Sequence, residues 1–286
     1  MAPPLFADLG KSARDVFTKG YNFGFYKLDS TTRTGTGVEF KTSFSHNVTS
    51  NKAFGSLDIK YKIPKYGMTL TEKWNTDNTL VTEVAVDDQI AKGLKTVLDS
   101  SYSVPVGKRN IRLKNEYFHD NVAVNGDITL DSAGSPLING GVVFGYEGFL
   151  VGWHGGFDTG RSKLTHSNIG FGVSKGNYAV HTFVNNNTEF GGNVYHRPNA
   201  SLELGANVGW RTGDNNPLFG LAAKYQVDRD TIVRAKISNN SQLGFALTHT
   251  LKPALKVTFS TLVNIHSFAD GGHKFGVGLE YDAPCH

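Results

Sequence analysis

Apolar and polar residues alternate along most of this chain, and no long apolar run interrupts the alternation. In residues 57–63 every odd position is apolar and every even position is charged, and the pattern recurs in 111–117 and 202–211. Successive side chains of a β-strand point to opposite faces. Each of these segments therefore predicts a strand with one apolar face and one polar face.

Segments of about ten alternating residues follow one another from residue 25 to the C-terminus, separated by turn residues such as Gly, Pro, Asn and Asp. This spacing predicts nearly twenty strands. Open sheets rarely exceed about ten strands, and closure leaves no exposed edge. We therefore expect one all-β domain that closes into a barrel.

A barrel of nearly twenty strands is too wide for its own side chains to fill, so its lumen holds water. The polar face of each strand then points inward and the apolar face points to lipid, as in a transmembrane barrel. The predicted lumen charges on the strands are Lys60, Lys62, Lys95, Arg112, Lys114, Lys236 and Lys256.

Residues 5–19 differ from the rest of the chain because their apolar positions recur at helical spacing. Lys11, Arg14 and Lys19 fall on the polar face of this amphipathic helix, and Gly10 within it weakens or kinks it. The helix either packs on a core or lies against a barrel wall or membrane surface. Gly20 and Gly24 bracket a flexible joint that connects it to the first strand.

Composition narrows the class of protein. The chain has 286 residues and a formal net charge of +4, without a concentrated Lys/Arg stripe, so we do not expect it to bind nucleic acid. Its single cysteine, Cys285, excludes an intramolecular disulfide. The N-terminus lacks the pattern of a secretory signal, and no stretch reaches the ~20 apolar residues of a membrane-spanning helix. A β-barrel crosses a bilayer without such a stretch.

Enzyme chemistry has no support in the sequence. There is no Gly-rich phosphate loop, no Gly-x-Ser-x-Gly and no His-Glu-x-x-His, and the ten histidines show no metal-ligand spacing. We therefore predict no catalytic residue, no metal and no resident cofactor. A soluble β-barrel that binds a ligand remains an alternative, which detergent dependence would separate from a membrane barrel.

One residue breaks the alternation. Glu72 shares its parity with Met68, Leu70 and Trp74, so it points towards lipid unless a bulge turns it inward or it lies near the headgroups. A carboxylate in that position is costly and is by default a functional candidate.

Several stretches resemble the voltage-dependent anion channels of mitochondria, the eukaryotic porins. They are residues 7–17, 70–80, 93–95, 145–148, 188–192, 222–226 and 271–274, which run from one end of the chain to the other. The resemblance implies a helix and hinge in residues 1–24 and a barrel in residues 25–286. It implies nineteen strands, with the first and last parallel, and an N-terminal helix inside the pore. The protein-import pore of mitochondria, a related barrel, is the alternative within this fold.

The resemblance also implies a function. The implied function is that of a voltage-dependent, weakly anion-selective channel that passes ATP, ADP, NAD, other metabolites and small ions across the mitochondrial outer membrane. Lys11 and Lys19 match nucleotide-contacting lysines of the family. A late nucleotide-contact region is matched by Gln242, Leu243, Gly244, Ser260, Thr261, Leu262, Val263 and Asn264. Glu72 matches a lipid-facing glutamate linked to hexokinase docking. Bcl-2 family proteins, and through them apoptosis, are further implied partners, and a homo-oligomer is compatible with the resemblance.

Overall fold

In the part of the chain that the structure describes, nineteen β-strands form a single sheet that closes on itself. The computed structural model describes residues 2–130, 134–214, 216–266, 268 and 271–283. The strands are β1 (Phe25–Arg33), β2 (Val38–Asn47), β3 (Lys52–Ile63), β4 (Met68–Asn75), β5 (Thr79–Asp87), β6 (Leu94–Ser103), β7 (Lys108–Phe118), β8 (Val122–Leu130), β9 (Pro136–Tyr146), β10 (Phe149–Asp158), β11 (Lys163–Lys175), β12 (Tyr178–Asn185), β13 (Glu189–His196), β14 (Leu202–Arg211), β15 (Leu218–Gln226), β16 (Thr231–Ser238), β17 (Gln242–Lys252), β18 (Leu255–Asn264) and β19 (Lys274–Asp282).

Neighbouring strands pair antiparallel around the barrel except where it closes. There β1 runs parallel to β19, with Lys27 opposite Gly278 and Asp29 opposite Glu280. Because strand direction alternates along the chain, the first and last strands of an odd number of strands run in the same direction and pair parallel. The nineteen-stranded, parallel-closed barrel implied by the resemblance is thus confirmed.

The register fixes which face of each strand points inward. A short N-terminal segment lies inside the barrel, where Phe6 and Leu9 pack over Gly152 and the ring of Phe17 packs over Gly205. Gly152 and Gly205 therefore lie on the lumen side of their strands. The strand pairing then shows which residues of each neighbouring strand face the lumen. The predicted lumen charges all fall on the inner face. The outer face is apolar along most strands, as the alternation predicts.

The N-terminal segment is helical in two pieces rather than one. A 3₁₀ turn, Phe6–Asp8, precedes the helix α1, Lys11–Thr18. Between them Gly10 adopts φ 70°, a left-handed conformation that is costly for residues with a side chain. The continuous helix over 5–19 is therefore wrong in its extent, although its apolar face and the break at Gly10 match the sequence pattern.

The helix packs its apolar face on the inner wall. Ala13 and Val16 are only 2% and 3% exposed, and they lie against the strands from β13 to β15. Nearer the N-terminus, Leu9 forms a small core with Val143 and Leu150, and Phe6 packs against this core. The polar face of α1 remains towards the water of the lumen. Among the described residues, no helix is both long enough and apolar enough to cross a bilayer.

Candidate functional site

Many lumen charges are paired across neighbouring strands. Arg112 donates two hydrogen bonds of 3.0 Å to Asp127, and Lys114 lies 3.7 Å from Asp99. Lys95 reaches Glu116 only at 4.0 Å. These predicted lumen cations are therefore partly neutralised by carboxylates on the same wall.

The lumen charges that remain unpaired are mostly positive. Among the described residues, the inward-facing cations of the strands that form no ion pair are Lys41, Lys52, Lys60, Lys62, Lys108, Lys163, Arg234, Lys236, Lys256 and Lys274. The corresponding unpaired carboxylates are Glu83, Asp87 and Glu280. The wall thus presents an excess of uncompensated positive charge to the water it encloses, a field that favours anions.

The helix lysines are also paired. Lys11 lies 2.8 Å from Asp8, and Lys19 lies 2.7 Å from Asp15. The hydrogen bond to Asp8 raises the pKa of Lys11 above its ordinary value. Arg14 donates to the carbonyl of Leu9 at 2.6 Å and so caps the 3₁₀ turn. Because exposed ion pairs contribute little, a phosphate can displace these carboxylates at small cost.

The late-strand residues predicted to contact nucleotide divide between the two faces of the wall. Those that face the lumen are Gln242, Gly244, Ser260, Leu262 and Asn264, and those that face outward are Leu243, Thr261 and Val263. Leu243, Thr261 and Val263 are separated from the lumen by the sheet, so their assignment as nucleotide contacts is corrected. A consecutive motif on a strand cannot place every residue on one face.

Two of the inward-facing residues hold the linker between α1 and β1. The hydroxyl of Ser260 accepts a hydrogen bond of 2.9 Å from the backbone N–H of Asn22. The ring of Phe23 lies over Gly244, in space that a side chain there would occupy. By contrast, Gln242 and Leu262 line a cavity of about 260 Å³ beside Phe17 and Lys236.

Lys236 joins the helix end to the wall, a role that the sequence does not reveal. Its ammonium donates to the carbonyl of Phe17 at 2.8 Å and lies 4.4 Å from the ring centre of Tyr21 and 5.0 Å from that of Phe23. Such cation–π contacts are attractive, more so when partly desolvated. Burial raises the pKa of Tyr21 to about 12, an effect that nearby Arg234 opposes. These contacts therefore hold the linker, which the sequence predicts to be a flexible joint, against the wall.

The predicted hinge glycines both adopt left-handed backbone. Gly20 has φ 78° and Gly24 has φ 76°. A Cβ at Gly20 would also meet the guanidinium of Arg234 at 2.6 Å. The backbone conformation of both residues suits glycine, but the middle of the linker is pinned at Asn22.

Glu72 lies on the outer face of β4, where it is exposed and flanked by Ile59 on β3 and Thr82 on β5. No bulge interrupts β4 on either side of it. Of the two alternatives to a lipid-facing carboxylate, the inward turn is thus wrong. Within the described residues, no group of three or more His, Cys, Asp or Glu is placed to hold a metal ion.

Comparison with known proteins gives consistent matches over the whole chain. The sequence profile of the eukaryotic porins matches residues 2–276. The chain is 49% identical over 281 residues to the non-selective voltage-gated ion channel VDAC1 of Sus scrofa, covering 98% of this chain and 99% of the relative. It is 48% identical over 283 residues to the voltage-dependent anion-selective channel of Drosophila melanogaster, covering 99% of this chain and all of that relative. It is 48% identical over 281 residues to the non-selective voltage-gated ion channel VDAC2 of Meleagris gallopavo, covering 98% of this chain and 95% of that relative.

Proposed function

The chain belongs to the eukaryotic porin family, and we propose from that premise that its barrel is a voltage-gated channel for ions and small metabolites. The observation that carries the proposal is the wide, closed wall with an apolar outer face and an inner face whose unpaired charges are mostly positive. Such a wall excludes lipid from the lumen and admits water, and its field favours anions weakly.

We further propose that the membrane is the mitochondrial outer membrane and that the solutes include ATP, ADP and NAD. Phosphate groups are recognised by flexible, multiply donating cations such as lysine. Lys11 and Lys19 offer such groups on the polar face of the helix, while Lys236 and Gln242 share a cavity at its C-terminal end. Lys11 and Lys19 are exposed and Lys236 and Gln242 are partly buried. Contacts of a solute with such groups have to be weak, because a solute that binds tightly does not leave the pore.

The N-terminal segment is our candidate for the element that responds to voltage. Residues 2–24 carry Lys11, Arg14 and Lys19 against Asp8 and Asp15, which leaves one net positive charge. Moving one charge through the whole field changes its energy by about 2.3 kcal/mol per 100 mV. A voltage that moves this charge therefore shifts the equilibrium between docked and undocked α1.

Planar-bilayer recording of the purified, refolded chain tests the channel proposal. We expect stepwise conductance, a fall in conductance at both high positive and high negative voltage, and a reversal potential of anion-selective sign in a KCl gradient. Stable bilayers without conductance steps, or an open state that prefers K⁺, would overturn it.

Glu72 carries a separate proposal, which is that it forms part of a docking surface for hexokinase at the membrane. The support is its exposed position on the lipid side, among apolar side chains such as Leu70 and Trp74. We expect Glu72→Gln to abolish hexokinase retention on proteoliposomes while conductance stays unchanged. The matched control is Glu83→Gln on the next strand, whose side chain faces the lumen; equal loss in both variants would contradict a role for the outer carboxylate.

A further inference from the structure

Two histidines meet on the inner wall beside the N-terminal segment. His154 on β10 and His166 on β11 lie with their rings 4.8 Å apart, and Nε2 of His166 is 3.0 Å from Nδ1 of His154. Both side chains are half-buried and face the lumen. Eleven residues separate the two histidines in sequence, so an inspection of metal-ligand spacing does not detect this pair.

A β-bulge produces the arrangement. The register of β10 and β11 shifts between Gly156 and Phe157, so that Thr165 has no partner of its own opposite β10. Bulges bend a strand and re-aim side chains, and they recur beside functional sites. Here the bulge turns Thr165 and His166 towards each other, with Oγ1 of Thr165 3.0 Å from Nδ1 of His166.

Gly156 leaves a hollow that polar atoms fill. A Cβ at this position would collide with Cε1 of His166, Oδ1 of Asn139 and Oγ1 of Thr165. The amide nitrogen of Asn139 donates to Asp127 at 3.0 Å, and therefore its carbonyl oxygen is directed to the hollow. The imidazole of His166, the amide oxygen of Asn139 and the hydroxyl of Thr165 thus meet at one small space on the inner wall, and the imidazole of His154 adjoins that of His166.

We propose that His154 and His166, supported by Asn139, bind a divalent transition metal ion. Metal–imidazole bonds are about 2.0–2.1 Å long, so two nitrogens bound at angles between 90° and 109° lie about 2.9–3.4 Å apart. The observed 3.0 Å already matches that bite, and the rings need to turn only about their soft Cβ–Cγ torsions. Lumen water completes the coordination.

The donor set determines which metal binds. Imidazole suits Cu²⁺, Ni²⁺ and Zn²⁺, and affinity at a nitrogen site rises from Mn²⁺ to Cu²⁺. Mg²⁺ and Ca²⁺ prefer oxygen ligands and should not compete. Because imidazole binds metal only when neutral, the affinity falls at acidic pH.

The site is linked to the N-terminal segment through one ring. Phe6 stacks on His154 with 5.6 Å between the ring centres, so His154 contacts both Phe6 and His166. A metal that turns His154 changes this contact, which is part of the anchor of the 3₁₀ turn. Metal binding therefore acts on the same docking equilibrium as voltage.

Binding is measured first, on untagged, refolded barrel in detergent, so the result is independent of channel activity. Cu²⁺ is added and followed by electron paramagnetic resonance, and Zn²⁺ by equilibrium dialysis. We expect one bound ion per chain with hyperfine splitting from two nitrogens. His154→Gln and His166→Gln should each lower the affinity by about tenfold or more, and the double variant should lose little beyond the single ones.

The matched control is His196→Gln, which removes an exposed histidine of the outer face at the end of β13. Equal binding by the wild type and the double variant would overturn the proposal, as would a loss of binding in the His196 variant alone. Circular dichroism of each variant excludes misfolding as the cause. A shift of the closing voltage by micromolar Zn²⁺, absent in His166→Gln, would extend the site to gating, and its absence with intact binding would limit the proposal to the ion alone.

Discussion

At the scale of single residues, Tyr21 tests how firmly the linker docks against the wall. Its hydroxyl is buried without a hydrogen-bond partner among the described residues, while its ring contacts Phe23 and Lys236. An unsatisfied buried hydroxyl is unfavourable. Tyr21→Phe should therefore dock the linker at least as firmly as wild type at neutral pH.

The same burial gives Tyr21 a pH dependence with a defined sign. Burial raises its pKa in the docked state to about 12, whereas the undocked phenol titrates near 10. Below about pH 10 both states are protonated and docking keeps its full strength. Between about pH 10 and 12 the undocked state loses its proton first, so docking weakens as pH rises.

Thermal unfolding in detergent from pH 8 to 12 measures this effect. We expect the melting temperature of the wild type to fall more steeply above pH 10 than that of Tyr21→Phe. Tyr66→Phe, which removes an exposed tyrosine of a turn, should follow the wild type. Lysines titrate in all three proteins and cancel in the comparison. Superimposable curves for wild type and Tyr21→Phe would contradict the assignment.

Residue-level prediction from sequence succeeded where it followed the alternation and failed where it did not. The parity of Glu72 placed it on the outer face, and that is where it lies. The family motif assigns Leu243 and Thr261 to the same site as their neighbours, although adjacent residues on a strand face opposite ways. The contact from Asn22 to Ser260 joins residues that are distant in sequence, and no local pattern encodes it.

At the scale of elements, α1 and its wall form the interface that voltage must disturb if the helix moves. A Cβ at Gly205 would lie 3.4 Å from Cβ of Val16. Disulfides place these atoms about 3.5–4.5 Å apart, so a small shift suffices to join Val16→Cys and Gly205→Cys. The single natural cysteine, Cys285, is removed by Cys285→Ser to prevent other pairings.

We expect the oxidised double variant to stay open at voltages that close it after reduction, because the disulfide prevents α1 from leaving the wall. Voltage steps on one membrane before and after dithiothreitol measure the difference. The two single-cysteine variants under oxidant control for changes made by the substitutions alone. Normal closure of a fully cross-linked channel would show that closing does not require release of α1.

The elements were largely predictable because local rules govern them. Period-two alternation located the strands, and period-3.6 spacing located the N-terminal helix. Gly10 signalled a break, but its left-handed conformation divides the segment into a 3₁₀ turn and a short helix. That division follows from packing, because Phe6 and Leu9 pack against β9 and β10, while Val16 packs against Gly205 on β14.

At the scale of the whole molecule, alternation and turn spacing predicted a wide closed barrel but not its closure. The parallel pairing of β1 with β19 joins opposite ends of the chain, and only the family resemblance implied it. The polarity of the lumen was predictable from parity. Which of the lumen charges are paired and which are unpaired was not predictable from the sequence, because pairing depends on which side chains meet across each register.

The separation into paired and unpaired charges makes selectivity a property of the unpaired cations, and Lys60 and Lys62 on β3 test it. Both face the lumen, and neither forms an ion pair among the described residues. The double variant Lys60→Glu/Lys62→Glu brings the formal net charge from +4 to zero. We expect the reversal potential in a KCl gradient to move towards the K⁺ potential, since a summed field depends on the charge that lines it.

The neighbouring pair of Lys73 and Asp58, 3.3 Å apart, supplies the matched control. Exchanging its members as Asp58→Lys/Lys73→Asp preserves both the pair and the net charge, so selectivity should stay at the wild-type value. Screening gives a second check, because the Debye length falls from about 10 Å at 0.1 M salt to about 3 Å at 1 M. The effect of the double variant should shrink accordingly. An effect that is undiminished at 1 M, or equal in the exchanged pair, would place selectivity in a local binding site instead of the field of the wall.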